Sequence, residues 1–144
     1  MTIKKLTADQ LHQAYPVISQ LRPHLTLEQY INTAKTMMSQ GYQVACLYDG
    51  EEILAYAGFV EQINLYYGKH IYVHDLVVCE NHRSKGYGKT LLSHIEDLAN
   101  KNKMSCVWLI SGVQRKDAHR FYEEKAEYAK TSYSYQKMLH PMTF

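Results

Sequence analysis

Between Tyr42 and Val78 the hydrophobic pattern turns from helical to extended and stays extended through three successive runs. Tyr42–Tyr48 is rich in strand formers, and Asp49-Gly50 after it is a hairpin turn signal. Ile53–Ile63 is a second, longer run, and Tyr66-Tyr67-Gly68-Lys69 turns the chain into a third, His70–Val78. Connections this short leave no room for a crossover, so the three runs predict an antiparallel meander.

On both sides of the meander the period is helical. Thr7 with Gln10, and Thr26 with Gln29, have capping-box spacing. They predict helices over Ala8–Leu21 and Leu27–Gln40, with Gly41 as the stop. Thr2–Leu6 predicts a short first strand. After Val78, the residues Leu91, Leu92, Ile95, Leu98 and Ala99 fall on one helical stripe. Cys106–Ile110 predicts a strand parallel to the one before it, because a helix separates them. Asp117–Ala126 predicts a further helix, and Thr131–Leu139, with Tyr133 and Tyr135 alternating, a closing strand. The order β-α-α-β-β-β-α-β-α-β is that of an α/β (α+β) chain with a single mixed, mostly antiparallel sheet flanked by helices.

Composition narrows the class of partner. With 144 residues, 46% of them hydrophobic and 21% charged, the chain can bury a core and fits one domain over 1–144. Sixteen basic and fourteen acidic side chains give +2, too even a balance for nucleic acid or an anionic membrane. Apolar runs such as Ile53–Val60 fall far short of a bilayer crossing, and the polar start lacks the apolar stretch of a leader. Cys46, Cys79 and Cys106 are widely spaced without a C-x-x-C pair, which predicts reduced thiols and a cytoplasmic protein. His70 and His74 would stand ~13 Å apart on an extended strand, too far to share a metal ion, so no metal is expected.

Chemistry concentrates in the stretch from Val77 to Thr90, which joins the last run of the meander to the apolar-striped helix. Gly86 and Gly88 alternate where that helix begins and let the backbone approach a ligand closely. First-turn amides have no partner inside a helix and lie at its positive end, and Arg83, Lys85 and Lys89 add charge beside them. Such a terminus suits phosphate. A triphosphatase loop would need glycine where Arg83 stands, and a dinucleotide fingerprint would need glycine where Leu91 stands.

What remains, Arg83-Ser84-Lys85-Gly86-Tyr87-Gly88, resembles the acetyl-CoA signature of the GNAT superfamily of N-acetyltransferases, Gln/Arg-x-x-Gly-x-Gly/Ala. Asp75-Leu76-Val77-Val78 before it looks like the family's central strand. Downstream, Ala118-His119-Arg120-Phe121-Tyr122-Glu123 is similar to its second hallmark, Ala-x-x-Phe-Tyr-Glu. The element order matches over nearly the whole chain. Arg115 departs from an asparagine common in relatives, and Lys125-Ala126-Glu127-Tyr128 lacks the glycine common before the aromatic.

The resemblance implies a fold whose fourth and fifth strands splay apart around acetyl-CoA as co-substrate. Backbone groups of Leu76, Val77 and Val78 would pair with the pantetheine arm. The loop and helix start, Arg83, Ser84, Lys85, Gly86, Tyr87, Gly88, Lys89 and Thr90, would hold the pyrophosphate. The acceptor would be a primary amine of a small molecule or a protein, attacking directly in a ternary complex. Tyr122 is the expected acid, since a phenol is still protonated at neutral pH. Asp75 is favoured as base, with His74, Glu61 and a water-mediated route as alternatives. Strict strand alternation puts the side chains of His74 and Asp75 on opposite faces. Arg22, Pro23, His24 and the Asn64–Lys69 turn, with Tyr66, Tyr67 and Tyr72, would line the acceptor. The alternative is a non-catalytic acetyl-CoA-binding domain on the same fold. A homodimer stays open; no nucleic-acid or membrane partner is expected.

Overall fold

In the computed structural model, which describes residues 1–144, the extended runs pair in sequence order. The strands are β1 (Thr2–Lys5), β2 (Tyr42–Asp49), β3 (Glu52–Asn64), β4 (Gly68–Val78) and β5 (Val107–Leu109). They form one sheet in the order β1-β2-β3-β4-β5, with β1 to β4 antiparallel throughout. Two bonds lead from β4 towards β5. Ser105 N–H donates to the Lys69 carbonyl at 2.8 Å and Ile71 N–H to the Cys106 carbonyl at 3.0 Å, so both segments advance in the same direction. The fold is α+β, as its sequence pattern predicts.

Contacts divide the chain into two units, Met1–Trp108 with Phe144, and Leu109–Thr143. In the first, helices α1 (Leu11–Leu21), α2 (Leu27–Met38) and α3 (Tyr87–Lys101) cover the sheet. Both capping boxes place a glutamine on its cap: Thr7 N–H donates to Gln10 Oε1, and Thr26 N–H to Gln29 Oε1, each at 3.0 Å. The Thr7 box starts a short 3-10 turn (Ala8–Gln10) that leads into α1.

Leu11, Ala14, Val17 and Ile18 of α1 and Tyr30 and Ala34 of α2 share one core with Tyr42, Val44, Cys46, Tyr56 and Val77 of the sheet. The alternate residues Ala45, Leu47, Ala55, Ala57, Phe59, Ile71 and Val73 are buried outside that core. They face the side where α3 lies on β2, β3 and β4, with its stripe of Leu91, Leu92, Ile95 and Ala99 buried. Both faces of β3 are therefore dry from Ile53 to Val60, the reason that run is continuously apolar rather than alternating. At the hairpin tip Asn64 Oδ1 accepts from the amides of Tyr66 and Tyr67, at 3.0 and 2.7 Å, and so shapes the turn.

The second unit holds α4 (Lys116–Arg120), which widens at once into a π-helical turn over Phe121–Lys125, with Ala126 N–H donating to the Phe121 carbonyl at 2.9 Å. The closing strand expected over Thr131–Leu139 does not form. Residues 126–144 are irregular, and Tyr133 and Tyr135 are exposed. Strand preference expresses packing against neighbours in a sheet, and alternating tyrosines alone do not supply a neighbour. No helix is long and apolar enough to cross a membrane.

Candidate active site

The register between β3 and β4 slips by one residue in mid-strand. Gly58 pairs with Asp75 and the next residue, Phe59, pairs with Val73, so His74 is an extra residue without a partner. This β-bulge shifts the phase of β4. Strict alternation would separate Tyr72 from Asp75; instead they lie opposite Val60 and Gly58, on the α1–α2 face. The expectation that His74 and Asp75 point to opposite faces fails for this reason, because both contact Tyr42. The Asp75 carboxylate accepts from the Tyr42 hydroxyl at 2.6 Å, and the His74 ring makes a T-shaped contact with the Tyr42 ring at 5.8 Å and 71°.

A buried polar chain converges on Asp75. Tyr30, Tyr56 and Tyr42 are linked through their hydroxyls at 3.0 Å each, and Tyr42 carries the chain to Asp75 Oδ2. Arg22, just past α1, places Nε 3.0 Å from Asp75 Oδ1 and Nη2 3.0 Å from the His74 carbonyl. Burial pushes the Tyr42 phenol well above its ordinary range, with the Asp75 charge adding to the effect. Tyr56 is raised likewise, first by burial and then by its tyrosine neighbours. The phenols are donors held in place. A Cβ at Gly58 would overlap the Tyr42 hydroxyl and ring, so only glycine lets Tyr42 reach across β3.

Beside the bulge stand three nearly parallel rings: His74 on Tyr72 at 4.7 Å and 21°, and Tyr72 on Trp108 at 4.6 Å and 19°. Tyr67 and His70 pack against Trp108, whereas Tyr66 is exposed. The histidines do not converge. His70 is fully buried with Nδ1 2.9 Å from the Gly68 carbonyl, and His82 Nε2 pairs with Glu52 at 2.8 Å. No group of three or more His, Cys, Asp or Glu side chains comes together.

The loop after β4 is held at its base. Cys79 N–H donates to the Leu54 carbonyl at 2.8 Å, Glu80 N–H to Gln20 Oε1 at 2.8 Å, and Arg83 Nε to the Val78 carbonyl at 3.3 Å. Ser84 and Gly86 then take left-handed conformations, φ 65° and 84°, on either side of Lys85. Gly86 caps α3 without a side-chain bond, and the first helical bond is from Thr90 N–H to the Gly86 carbonyl. The amides of Tyr87, Gly88 and Lys89 thus remain outside the helical ladder, at its positive end. Gly88 is buried against the fold, while a Cβ at Gly86 would meet nothing within 4 Å. Open backbone of alternating hand leading into a helix start is a fitting cradle for a pyrophosphate, with exposed Lys85 and Lys89 beside it. Along β4, the bonds towards β5 start at Lys69 and Ile71, and β5 is three residues long, too short to reach Leu76–Val78.

In the second unit Tyr122 lies in the π-helical turn, its ring 5.2 Å from Phe121 and 6.2 Å from Tyr128. Burial raises its phenol above the ordinary value, against a weaker downward pull from Arg115. Tyr128 N–H donates to the Tyr122 carbonyl at 2.8 Å. Glu127 takes φ 62°, so the helix exit is left-handed without the residue that best tolerates that conformation.

The acetyltransferase (GNAT) family model matches residues 6–128. The chain belongs to this family. It is a GNAT N-acetyltransferase. It is 37% identical over 137 residues to a Bacillus subtilis (strain 168) protein described as the uncharacterized N-acetyltransferase YhdJ, covering 94% of this chain and 96% of the relative. Solved structures share the fold. The ribosomal-protein-alanine N-acetyltransferase of Brucella melitensis biovar Abortus 2308 superposes with a TM-score of 0.79 at 18% identity, over 96% of this chain and 98% of the other. The aminoglycoside N-acetyltransferase AAC(6')-Iy in complex with CoA superposes with a TM-score of 0.81 at 10% identity, over 96% and 95%.

For this N-acetyltransferase the structure places the expected residues from Arg83 to Thr90 in one loop and helix start, and Leu76–Val78 on the strand that leads there. It brings together Arg22, Tyr42, His74 and Asp75, a cluster in which sequence reasoning saw only parts. Tyr42 and Gly58 were missed as site residues. The available signal was Gly58 itself, a lone glycine inside a strand pattern, which marks a bulge or a close approach.

Proposed function

We propose that residues 1–144 act as one N-acetyltransferase domain that moves an acetyl group from acetyl-CoA to a primary amine of a small molecule or protein, by direct attack in a ternary complex. The observation that carries this reading is the uncapped start of α3, where Ser84 and Gly86 alternate in hand and open the amides of Tyr87, Gly88 and Lys89. These amides, with Arg83, Lys85 and Lys89, would hold the diphosphate, and backbone groups of Leu76, Val77 and Val78 would hold the pantetheine arm. Bound acetyl-CoA would supply an activated thioester.

Tyr122, assigned by its motif, would protonate the departing sulfur. A phenol raised by burial keeps its proton at neutral pH, which suits a donor. The corner formed by His74 and Asp75 at the bulge would take the proton from the acceptor's ammonium group. Reduced cysteines suit a cytoplasmic setting.

The test is an amine panel assayed with acetyl-CoA by free-thiol release, with calorimetry of CoA binding alongside. Amine-dependent release above the hydrolysis background supports acetyl transfer. CoA binding without it favours a binding module, and absence of CoA binding removes the loop assignment.

A further inference from the structure

Within the His74–Asp75 corner, the geometry assigns the two residues different tasks: we propose that the His74 imidazole is the base that takes the acceptor's proton, and that Asp75 is a positioning residue. This deepens the acetyl-transfer reading and rests on it.

Asp75 is already committed. Oδ1 accepts from Arg22 and Oδ2 from Tyr42, at 3.0 and 2.6 Å. A proton arriving on Oδ2 would set one O–H against another, since burial keeps the Tyr42 phenol protonated. A proton on either oxygen would also remove the charge that Arg22 pairs with. The carboxylate instead fixes Arg22, and Arg22 fixes the His74 carbonyl.

His74 is held without using its nitrogens. The bulge leaves the residue without a partner on β3, its carbonyl is bound by Arg22, and its ring stacks on Tyr72 and stands at a steep angle to the Tyr42 ring. Neither Nδ1 nor Nε2 is engaged in a hydrogen bond, and the residue is exposed. His70, His82 and His119, by contrast, each have a ring nitrogen occupied. His74 lies two residues before Leu76, about 7 Å along the strand proposed to hold the pantetheine arm. An oriented imidazole with free nitrogens near the reacting end is a competent general base.

The step balances. The imidazole takes one proton from the acceptor's ammonium group, and the freed lone pair forms the N–C bond. As the C–S bond breaks, its electron pair leaves on sulfur, which receives the Tyr122 proton. The imidazolium then gives its proton to solvent, and the acylated nitrogen gives up its second proton, which restores the Tyr122 phenol and leaves a neutral amide.

The titratable and charged groups packed against His74 are Tyr72 and Asp75 on β4, Tyr42 on β2 and Arg22 at the end of α1. Asp75 and Arg22 pair with each other at 3.0 Å, and burial raises both phenols. The experiment uses the full chain, acetyl-CoA and an amine found active in the panel. His74→Gln should lower kcat by about 10²-fold or more with CoA affinity intact and should abolish the acidic limb of kcat/KM. His74→Gly should regain turnover when imidazole is added, and Asp75→Asn should keep the limb. In the CoA complex, added amine should shift the His74 ring resonance, assigned by its loss in His74→Gln. A His74→Gln enzyme with wild-type kcat and an intact acidic limb, or a His74 resonance blind to the amine, would overturn the assignment while leaving acetyl transfer standing. A wild-type protein that releases no thiol with any amine would remove acetyl transfer itself, and this proposal with it.

Discussion

The Tyr42 hydroxyl donates to Asp75 Oδ2 across 2.6 Å, joining β2 to β4 over the intervening strand β3. A hydrogen bond to a buried charged group is worth about 1.5–3 kcal/mol, and its loss also strands the carboxylate oxygen. Tyr42→Phe should therefore destabilise the protein by about that amount. Urea unfolding should show a lower midpoint at an unchanged slope; an unchanged midpoint would mean that water replaces the phenol at no cost.

Gly58 makes the crossing possible. A methyl group there would occupy the space of the Tyr42 ring, which is buried and bonded at its tip. Gly58→Ala should cost about 1–3 kcal/mol by overpacking. The double variant Gly58→Ala, Tyr42→Ala should lose less than the two single losses added, because the clash disappears with the ring. Additive losses would place the damage elsewhere.

Stability should fall in alkali. Burial raises the phenols of Tyr30, Tyr42 and Tyr56 in the folded state above the unfolded value of 10.0 and pushes the Cys46 thiol up from 9.0 to about 12. A raised pKa means that the unfolded chain loses protons first. The stabilisation is complete below the unfolded value and declines as pH climbs above it. The decline should begin near pH 9 with Cys46 and steepen above pH 10, by roughly 1.4 kcal/mol per pH unit for each group. Tyrosinate absorbance should report fewer than the 13 tyrosines of the chain until the protein unfolds. Full titration of all of them in the folded state would contradict the buried chain.

Gly86 stands at φ 84° with open space where a side chain would go. Gly86→Val should weaken CoA binding through the backbone, since a β-branched residue costs of order 1–2 kcal/mol or more in that conformation. Circular dichroism should be unchanged, because the position touches nothing in the core. Unchanged affinity by calorimetry would remove this loop from the cofactor site.

Tyr122→Phe keeps the ring and removes the proton. If the phenol protonates the leaving sulfur, kcat should drop by about 10²–10⁴-fold with CoA affinity preserved. An unchanged kcat would assign Tyr122 to packing with Phe121 and Tyr128.

The elements of local origin were legible in the sequence. The capping boxes at Thr7 and Thr26, the Asp49-Gly50 turn, the stripe from Leu91 to Ala99 and the glycine pair before it each act through residues a few positions apart, and each formed where expected. The bulge at His74 was not legible, because it depends on how β4 slides along β3. That single slip puts Asp75 on the same face as Tyr72 and turns the His74 ring towards Tyr42. The expected strand over Thr131–Leu139 failed for a related reason: an alternating pattern states a preference, and only a neighbouring strand can satisfy it. Short-range spacing thus determined the helices, the turns and the open glycine loop before α3. Tertiary register, which no local rule encodes, decided which carboxylate is paired with arginine and which imidazole keeps its nitrogens free.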